Sequence, residues 1–291
     1  MFLGRGMVSD DTEHTSMVAR ALAESGGDVE QFTDSLARQL KRWVVALPPG
    51  VGLATMRGAF RLLVGVSPKH SGVHSAGNGP AMRSALLGVC ATDDGHLVDL
   101  VRASTQITHT DARARDGAVL VARLARQLAT ASLDPGVIDG IGDMEFRERV
   151  RDAWQGEFLT PADYGAAAGY QRGVSGFIVH TVPAAVYCTL RTGEDARFAL
   201  ESAIRLGGDT DTTAAIVGAL VGARDGAAGL PQDWLRGVRD WPVSTANLRA
   251  LADSLAHGGG VPPQRWIAAA PRNLGLLVVI FGHIALRLLG R

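Results

Sequence analysis

Two short acidic stretches of the chain carry hard oxygen donors. One reads Ser9-Asp10-Asp11-Thr12 and the other Gly207-Gly208-Asp209-Thr210-Asp211-Thr212. Asp209 and Asp211 stand two apart, a spacing that does not share a helix face. They converge on one point only where the backbone turns, and the Gly207-Gly208 pair supplies that freedom. Thr212 adds a hydroxyl, and the apolar run that follows reads as a helix whose positive N-terminal end favours carboxylates. Two carboxylates and a hydroxyl on a turn suit Mg²⁺ or Mn²⁺. A helix cap would need one Asp, so the doubled acid favours a metal. Ser9, Asp10 and Asp11 repeat this chemistry ahead of another helical stretch. Alone they read as a cap with an acidic first turn; paired with the second cluster they fit a two-ion site. Adjacent side chains point in different directions, so Asp10 and Asp11 can serve different ions. Glu13 and His14 follow on the same helix and read as supporting or solvent-facing groups.

The elements that must position these residues are helical. Residues 11–24 place Met17, Val18, Ala21 and Leu22 on one face and stop at Ser25-Gly26-Gly27. Residues 29–47 continue in the same manner up to Pro48-Pro49-Gly50. Leu120, Leu124 and Leu128 repeat at four-residue intervals, and residues 196–206 lead into Gly207-Gly208. Residues 214–223 are rich in small side chains, which let helices approach closely, so this helix is expected at the centre. Residues 258–263 form a loop, with too few residues after it for a second domain. Few segments alternate with period two. The expectation is an all-α fold, a single compact many-helix domain over residues 1–291.

Residues 274–289 are apolar but short of the roughly 20 needed to cross a bilayer, and they include His283 and Arg287. They read as a buried C-terminal helix, with no membrane partner. Composition narrows the class further. With 46% hydrophobic and 20% charged residues the chain is not a disordered tail. Lys+Arg and Asp+Glu are 29 each, which argues against a nonspecific nucleic-acid binder. The 36 Gly and 5% aromatics favour closely packed helices over a β-sandwich. Cys90 and Cys188 sit in apolar stretches and read as two buried thiols of a reducing compartment; Cys and His are too sparse for a zinc site. The residues from Met1 to Gly6 are too short in apolar content for a signal peptide, so the expected address is cytoplasmic.

Taken together, the motifs resemble those of the ADP-ribosylglycohydrolases. LGGDTDTTAAIVGALVGA looks like that family's C-terminal metal signature, and SDDTEHT like its N-terminal one. Ser75-Ala76-Gly77-Asn78-Gly79-Pro80-Ala81-Met82-Arg83 resembles its Asn-Gly substrate loop, and Thr108-His109-Thr110-Asp111 its histidine segment. Gly176-Phe177-Ile178-Val179-His180-Thr181-Val182-Pro183 resembles a Gly-aromatic segment near the ligand, and PRNLGLLVVIFGH the closing helix of bacterial members.

This resemblance implies a cleft with two Mg²⁺ or Mn²⁺ ions held by Ser9, Asp10, Asp11, Asp209, Asp211 and Thr212. It implies a ligand pocket formed by Asn78, Gly79, Met82, His109, Gly176 and Phe177. In the family the ions hold the ribose hydroxyls, and a metal-associated water displaces the side chain at the anomeric carbon through an oxocarbenium-like state. Asp10 and Asp11 are the catalytic candidates. The implied partners are ADP-ribose or an ADP-ribosylated protein, with arginine the favoured acceptor. One departure is visible. Family members usually carry a Gly-Asp-Ala-type helix and an acidic residue ahead of the first metal motif, whereas eight residues precede Ser9. The chain therefore reads as N-terminally short, and an ADP-ribose-binding relative with impaired catalysis is the alternative.

Overall fold

A computed structural model describes residues 6–191 and 195–289. The first five residues of the stretch read for a signal peptide lie outside the described residues. The helices, in chain order, are α1 (Asp10–Ser25), α2 (Val29–Val45), α3 (Leu53–Leu63), α4 (Ala85–Cys90), α5 (Asp94–Gln106), α6 (Ala112–Ala129) and α7 (Met144–Gln155). They are followed by α8 (Pro161–Ala167), α9 (Ile178–Leu190), α10 (Ala196–Arg205), α11 (Thr210–Gly229), α12 (Gln232–Gly237), α13 (Thr245–His257) and α14 (Ala270–Leu289). Among the described residues the extended chain makes only isolated bridges.

Helix α6 stands between two hydrophobic clusters. Its Leu120, Leu124 and Leu128 face a cluster with Val182, Ile216 and Leu220. Its Ala118 and Ala122, on another face, join Met17, Phe32, Leu36, Leu40, Trp43 and Leu100. The small-residue helix α11 packs on α6, α9 and α10, with Ile216, Val217, Leu220 and Val221 buried. The first cluster therefore seats α11 and the second seats α1, the two helices whose N-termini carry the acidic motifs.

Seven of the helices start on a capping side chain. Asp28 accepts from the Gln31 N–H at 2.8 Å, Asp93 from the His96 N–H at 2.9 Å and Asp143 from the Phe146 N–H at 2.9 Å. This satisfies backbone donors that the first helical turn leaves open. Helices α1 and α11 are exceptions, described below.

Two sequence expectations are corrected here. Helix α14 is not buried. Only its first turn is anchored, through Arg272 and Asn273, and beyond them Leu274, Val278, Val279, Ile280, Phe281 and Leu286 are exposed. Hydropathy measures how apolar a helix is, not what covers it, and α14 leaves the domain after Asn273. Cys90 is only half-buried whereas Cys188 is buried, and neither is in a disulfide.

Candidate functional site

The N-caps of α1 and α11 are Ser9 and Asp209, residue types that ordinarily cap, yet neither side chain makes a cap hydrogen bond. Ser9 Oγ instead donates to Asp11 Oδ2 at 2.6 Å. Asp209 is turned away from its helix by the preceding glycines. Gly207 and Gly208 hold φ of 72° and 77°. The Val174 N–H donates to Gly207 O at 3.0 Å, and the Asp209 N–H donates to Val174 O at 2.7 Å. A Cβ on Gly208 would fall 2.1 Å from Val174 O, so this approach requires glycine.

The Asp209 carboxylate reaches across to the Asn-Gly loop. Asn78 Nδ2 donates to Asp209 Oδ2 at 2.7 Å and to Thr181 Oγ1 at 3.1 Å. The Asn78 N–H donates to Gly176 O at 3.0 Å. A Cβ on Gly176 would stand 3.1 Å from Asp209 Oδ2, so Gly176 leaves room for the Asn78–Asp209 contact. The Thr212 side chain lies against both Asp11 and Asp209 and favours their charged forms. The two acidic motifs thus meet.

A cleft of about 300 Å³ lies over this junction. Asp10, Asp209, Asp211 and Thr212 line it together with Asn78, Gly79, Met82, His109 and Gly176. Larger cavities exist. One of about 410 Å³ beside α7 and α8 is lined by Glu145, Glu148, Arg149 and Tyr170 and holds none of these residues. The convergence of donors, rather than volume, marks the site. Ser9 and Asp11 sit behind the wall, Asp11 fully buried. Phe177 caps α9 beside Gly176 without lining the cleft; the Arg113 guanidinium lies over its ring, 5.3 Å from the centroid.

The carboxylates crowd one another. Burial, then the charges of Asp11 and Asp211, push the Asp10 carboxyl up to about 8. Burial raises Asp11 against the opposing Ser9 hydrogen bond, and raises Asp209 against Asn78. Asp11 Oδ1 is buried with no hydrogen-bond partner. Among the described residues no three His, Cys, Asp or Glu side chains already close around a point as a metal cage. The donor set nonetheless fits hard divalent cations: all oxygen, an excess of negative charge, and a buried lone pair left open.

On the opposite wall, His109 is held from behind. Arg83, fully buried, donates from Nε to Ser104 Oγ at 3.0 Å, from Nη2 to Thr108 Oγ1 at 2.8 Å and from Nη1 to His14 Nδ1 at 2.9 Å. Thr108 Oγ1 lies 2.8 Å from His109 Nδ1. Arginine only donates, so the Thr108 hydroxyl accepts from it; its own hydrogen has two acceptors in reach, His109 Nδ1 and, at 3.5 Å, Thr105 O. His109 Nε2 is the ring atom nearest Gly77 in the cleft wall. Burial, and then Arg83, push His109 down to about 3, so the ring is neutral.

Glu13 and His14 are not solvent-facing. Trp43 Nε1 donates to Glu13 Oε2 at 2.6 Å, and Arg272 Nη1 donates to Glu13 Oε1 at 2.6 Å. His14 meets Trp43 edge to face at 4.6 Å between ring centroids. Sequence reasoning named Ser75 and Arg83 as the ends of the Asn-Gly loop without giving them a role, and missed the cleft residue Thr55. The one available signal for Arg83 was a lone Arg just before the apolar run of α4.

Comparison with known proteins gives the family and the fold. The chain matches the ADP-ribosylglycohydrolase family over residues 1–264. A protein of Archaeoglobus fulgidus, described only as uncharacterized, is 30% identical over 246 residues, covering 82% of this chain and 77% of the relative. The ADP-ribosyl-[dinitrogen reductase] glycohydrolase of Rhodospirillum rubrum is 29% identical over 238 residues, 79% of this chain and 73% of that enzyme. ADP-ribosylhydrolase ARH3 of Homo sapiens is 31% identical over 199 residues, 56% of this chain and 54% of that protein. A solved structure described as an ADP-ribosylglycohydrolase-related protein complex superposes with a TM-score of 0.67 at 25% identity, covering 86% of this chain and 81% of the other. By sequence and by fold, the chain is a member of the ADP-ribosylglycohydrolase family.

Proposed function

We propose that this cleft hydrolyses the glycosidic bond between ADP-ribose and a modified protein side chain, or a related ADP-ribosyl compound. The observation that carries the reading is the meeting of both acidic motifs with Asn78 and His109 around one cleft. Two Mg²⁺ or Mn²⁺ ions are the cofactors in this reading, and Ser9, Asp10, Asp11, Asp209, Asp211 and Thr212 would hold them. Such ions, when bound, template the ribose hydroxyls and supply a water of lowered pKa. Arginine as acceptor comes from the likeness to bacterial glycohydrolases, not from a residue of the cleft.

The chain's own groups have separate tasks. Asn78 fixes the rotamer of Asp209, so the carboxylate needs no reorganisation when it receives a cation. His109 stays neutral across the physiological range and turns Nε2 toward the bound ligand as a hydrogen-bonding group. Gly79 and Gly176 present backbone without side chains, which suits the diphosphate, and Met82 gives the ligand an apolar contact. Of the catalytic candidates, Asp10 faces the cleft and Asp11 stands behind it. Phe177 serves from the rim. We read the whole of residues 1–291 as one domain, which the match over residues 1–264 supports, and place it in a reducing, cytoplasmic compartment. The balanced charge supports a partner other than nucleic acid.

One observation favours a second reading, an ADP-ribose-binding relative with impaired turnover. The carboxylates lining the cleft among the described residues, Asp10, Asp209 and Asp211, all belong to the metal set. None is left over to act as a separate acid. Release of ADP-ribose from an ADP-ribosylarginine protein, with Mg²⁺ or Mn²⁺ and with a chelator, tests both readings beside calorimetric titration of ADP-ribose. Metal-dependent release supports the hydrolase. Binding without release selects the second reading, and neither binding nor release removes both.

A further inference from the structure

Helix α14 lies beyond the residues matched to the family, which end at 264. Between Leu274 and Leu286 its only polar side chain is His283. At about 100° per residue, Val278, Val279, Ile280 and Phe281 point in four directions, and all four are exposed. A helix that docks in a protein groove or on a second copy of itself buries one stripe and turns polar residues outward. The window from Trp266 to Arg287 has a mean hydropathy of 1.5, yet only 19% of it is buried. The apolar stretch of α14 from Leu274 to Leu286 rises about 20 Å, enough to enter a bilayer's hydrocarbon core of about 30 Å without crossing it.

A second surface points the same way. Helix α3 buries Thr55, Ala59 and Leu62, but its outward stripe is also apolar: Leu53, Met56, Phe60 and Leu63 are 43% to 61% exposed. Residues 53–63 contain two arginines and no acid. The two surfaces meet in a groove of about 470 Å³, where Leu63 and Val45 face Ile267 at the base of α14. Lys41, Arg42 and Arg265 also line this groove, and no acidic side chain does among the described residues.

We propose that α14 enters a lipid bilayer while the outward stripe of α3 rests on its surface, with Lys41, Arg42 and Arg265 meeting anionic headgroups. Lipid is the occupant because the helix is apolar on every side and the groove beside it is cationic. This replaces the expectation of no membrane partner, which rested on burial of residues 274–289. Leu53 begins the stripe and also lines the candidate site, so docking sets the mouth of the cleft beside the bilayer.

The test is flotation of the full chain, synthesised in the presence of vesicles of phosphatidylcholine alone or with phosphatidylglycerol. The chain is expected to float with both and in larger fraction with the anionic vesicles. Val278→Glu with Phe281→Glu should cut the floated fraction about tenfold while leaving the thermal melt unchanged, because both side chains are exposed. Lys41→Glu with Arg265→Glu should abolish only the gain from phosphatidylglycerol. A chain that stays soluble or pellets with either vesicle overturns the proposal. So does a discrete dimer by light scattering that fails to float, which would give α14 to a second copy. The assay reads lipid binding alone, so its outcome is independent of turnover at the cleft.

Discussion

Asn78 Nδ2 and Asp209 Oδ2 lie 2.7 Å apart, joining residues separated by 131 positions in the sequence. The bond ties the Asn-Gly loop to the start of α11 and holds an otherwise repelled carboxylate in one orientation. Outer partners of this kind typically set metal affinity or activity by about 10–100-fold. Asn78→Ala is therefore expected to weaken Mn²⁺ binding by about that factor, with little change in helicity. Calorimetric titration with Mn²⁺ checks it. An unchanged affinity would show that Asp209 is oriented by its own turn and not by Asn78.

The carboxylate cluster makes the metal-free protein carry a cost that the cation would remove. Asp10 shows it most clearly, since burial, Asp11 and Asp211 all disfavour its charged form. Asparagine has nearly the same shape and no charge. In chelator, Asp10→Asn should melt at or above the temperature of the parent chain. Adding Mn²⁺ should raise the melting temperature of the parent by linkage and leave the variant nearly unmoved. A variant that melts several degrees lower in chelator would mean that Asp10 is a structural residue whose charge the fold needs.

Some of this was legible in the sequence and some was not, for physical reasons. The boundaries of α1 and the acidic start of α11 followed from helical periodicity, acidic starts and a glycine stop, because those signals are local, whereas the reading of residues 214–223 fell short of the end of α11 at Gly229. The turn that presents Asp209 was readable from two glycines and acids two apart. For Glu13 and His14 the reading left supporting and solvent-facing roles open, and only the supporting one holds. Polar residue types suggest solvent, and the partners that bury them are remote: Trp43 is 30 positions from Glu13, and Arg272 is 259. The role of Arg83 was not legible for the same reason, since His14, Ser104 and Thr108 come together around it only in the fold. Helix α14 was misplaced because an apolar run states what a helix avoids and not where it lies.

Histidine burial gives the molecule a defined response to acid. His109 is pushed down to about 3, and His14, held by Arg83, lies well below the ordinary histidine range. Burial is the larger cause in both. In the unfolded chain each binds a proton near pH 6.5, whereas the folded chain keeps both neutral. The unfolded state thus holds more protons below pH 6.5, and stability falls as pH drops through that window. At pH 5, His109 alone accounts for about 2 kcal/mol. His109→Gln should flatten the loss of melting temperature between pH 7 and pH 5, measured in chelator. A slope identical to that of the parent would show that His109 gains its proton without unfolding.

Arg272 presents the sharpest stability test, because one side chain closes three contacts around the approach to Ser9. Its guanidinium donates to Glu13 at 2.6 Å, to Asp240 at 2.7 Å and to the Val8 carbonyl at 3.0 Å. Asp240 in turn accepts the Val8 N–H at 2.9 Å. All three charged groups are buried. Removing the cation strands two carboxylates in the interior, a loss of about 3–5 kcal/mol for a buried pair. Arg272→Met alone is therefore expected to destabilise severely. Adding Glu13→Gln and Asp240→Asn should recover much of the loss, since neutral amides need no countercharge. Because Val8 precedes Ser9, the single variant should also weaken Mn²⁺ binding under conditions where it remains folded. Urea titrations of the single and triple variants separate the contributions. A triple variant no more stable than Arg272→Met would mean that the guanidinium acts by packing and not by charge.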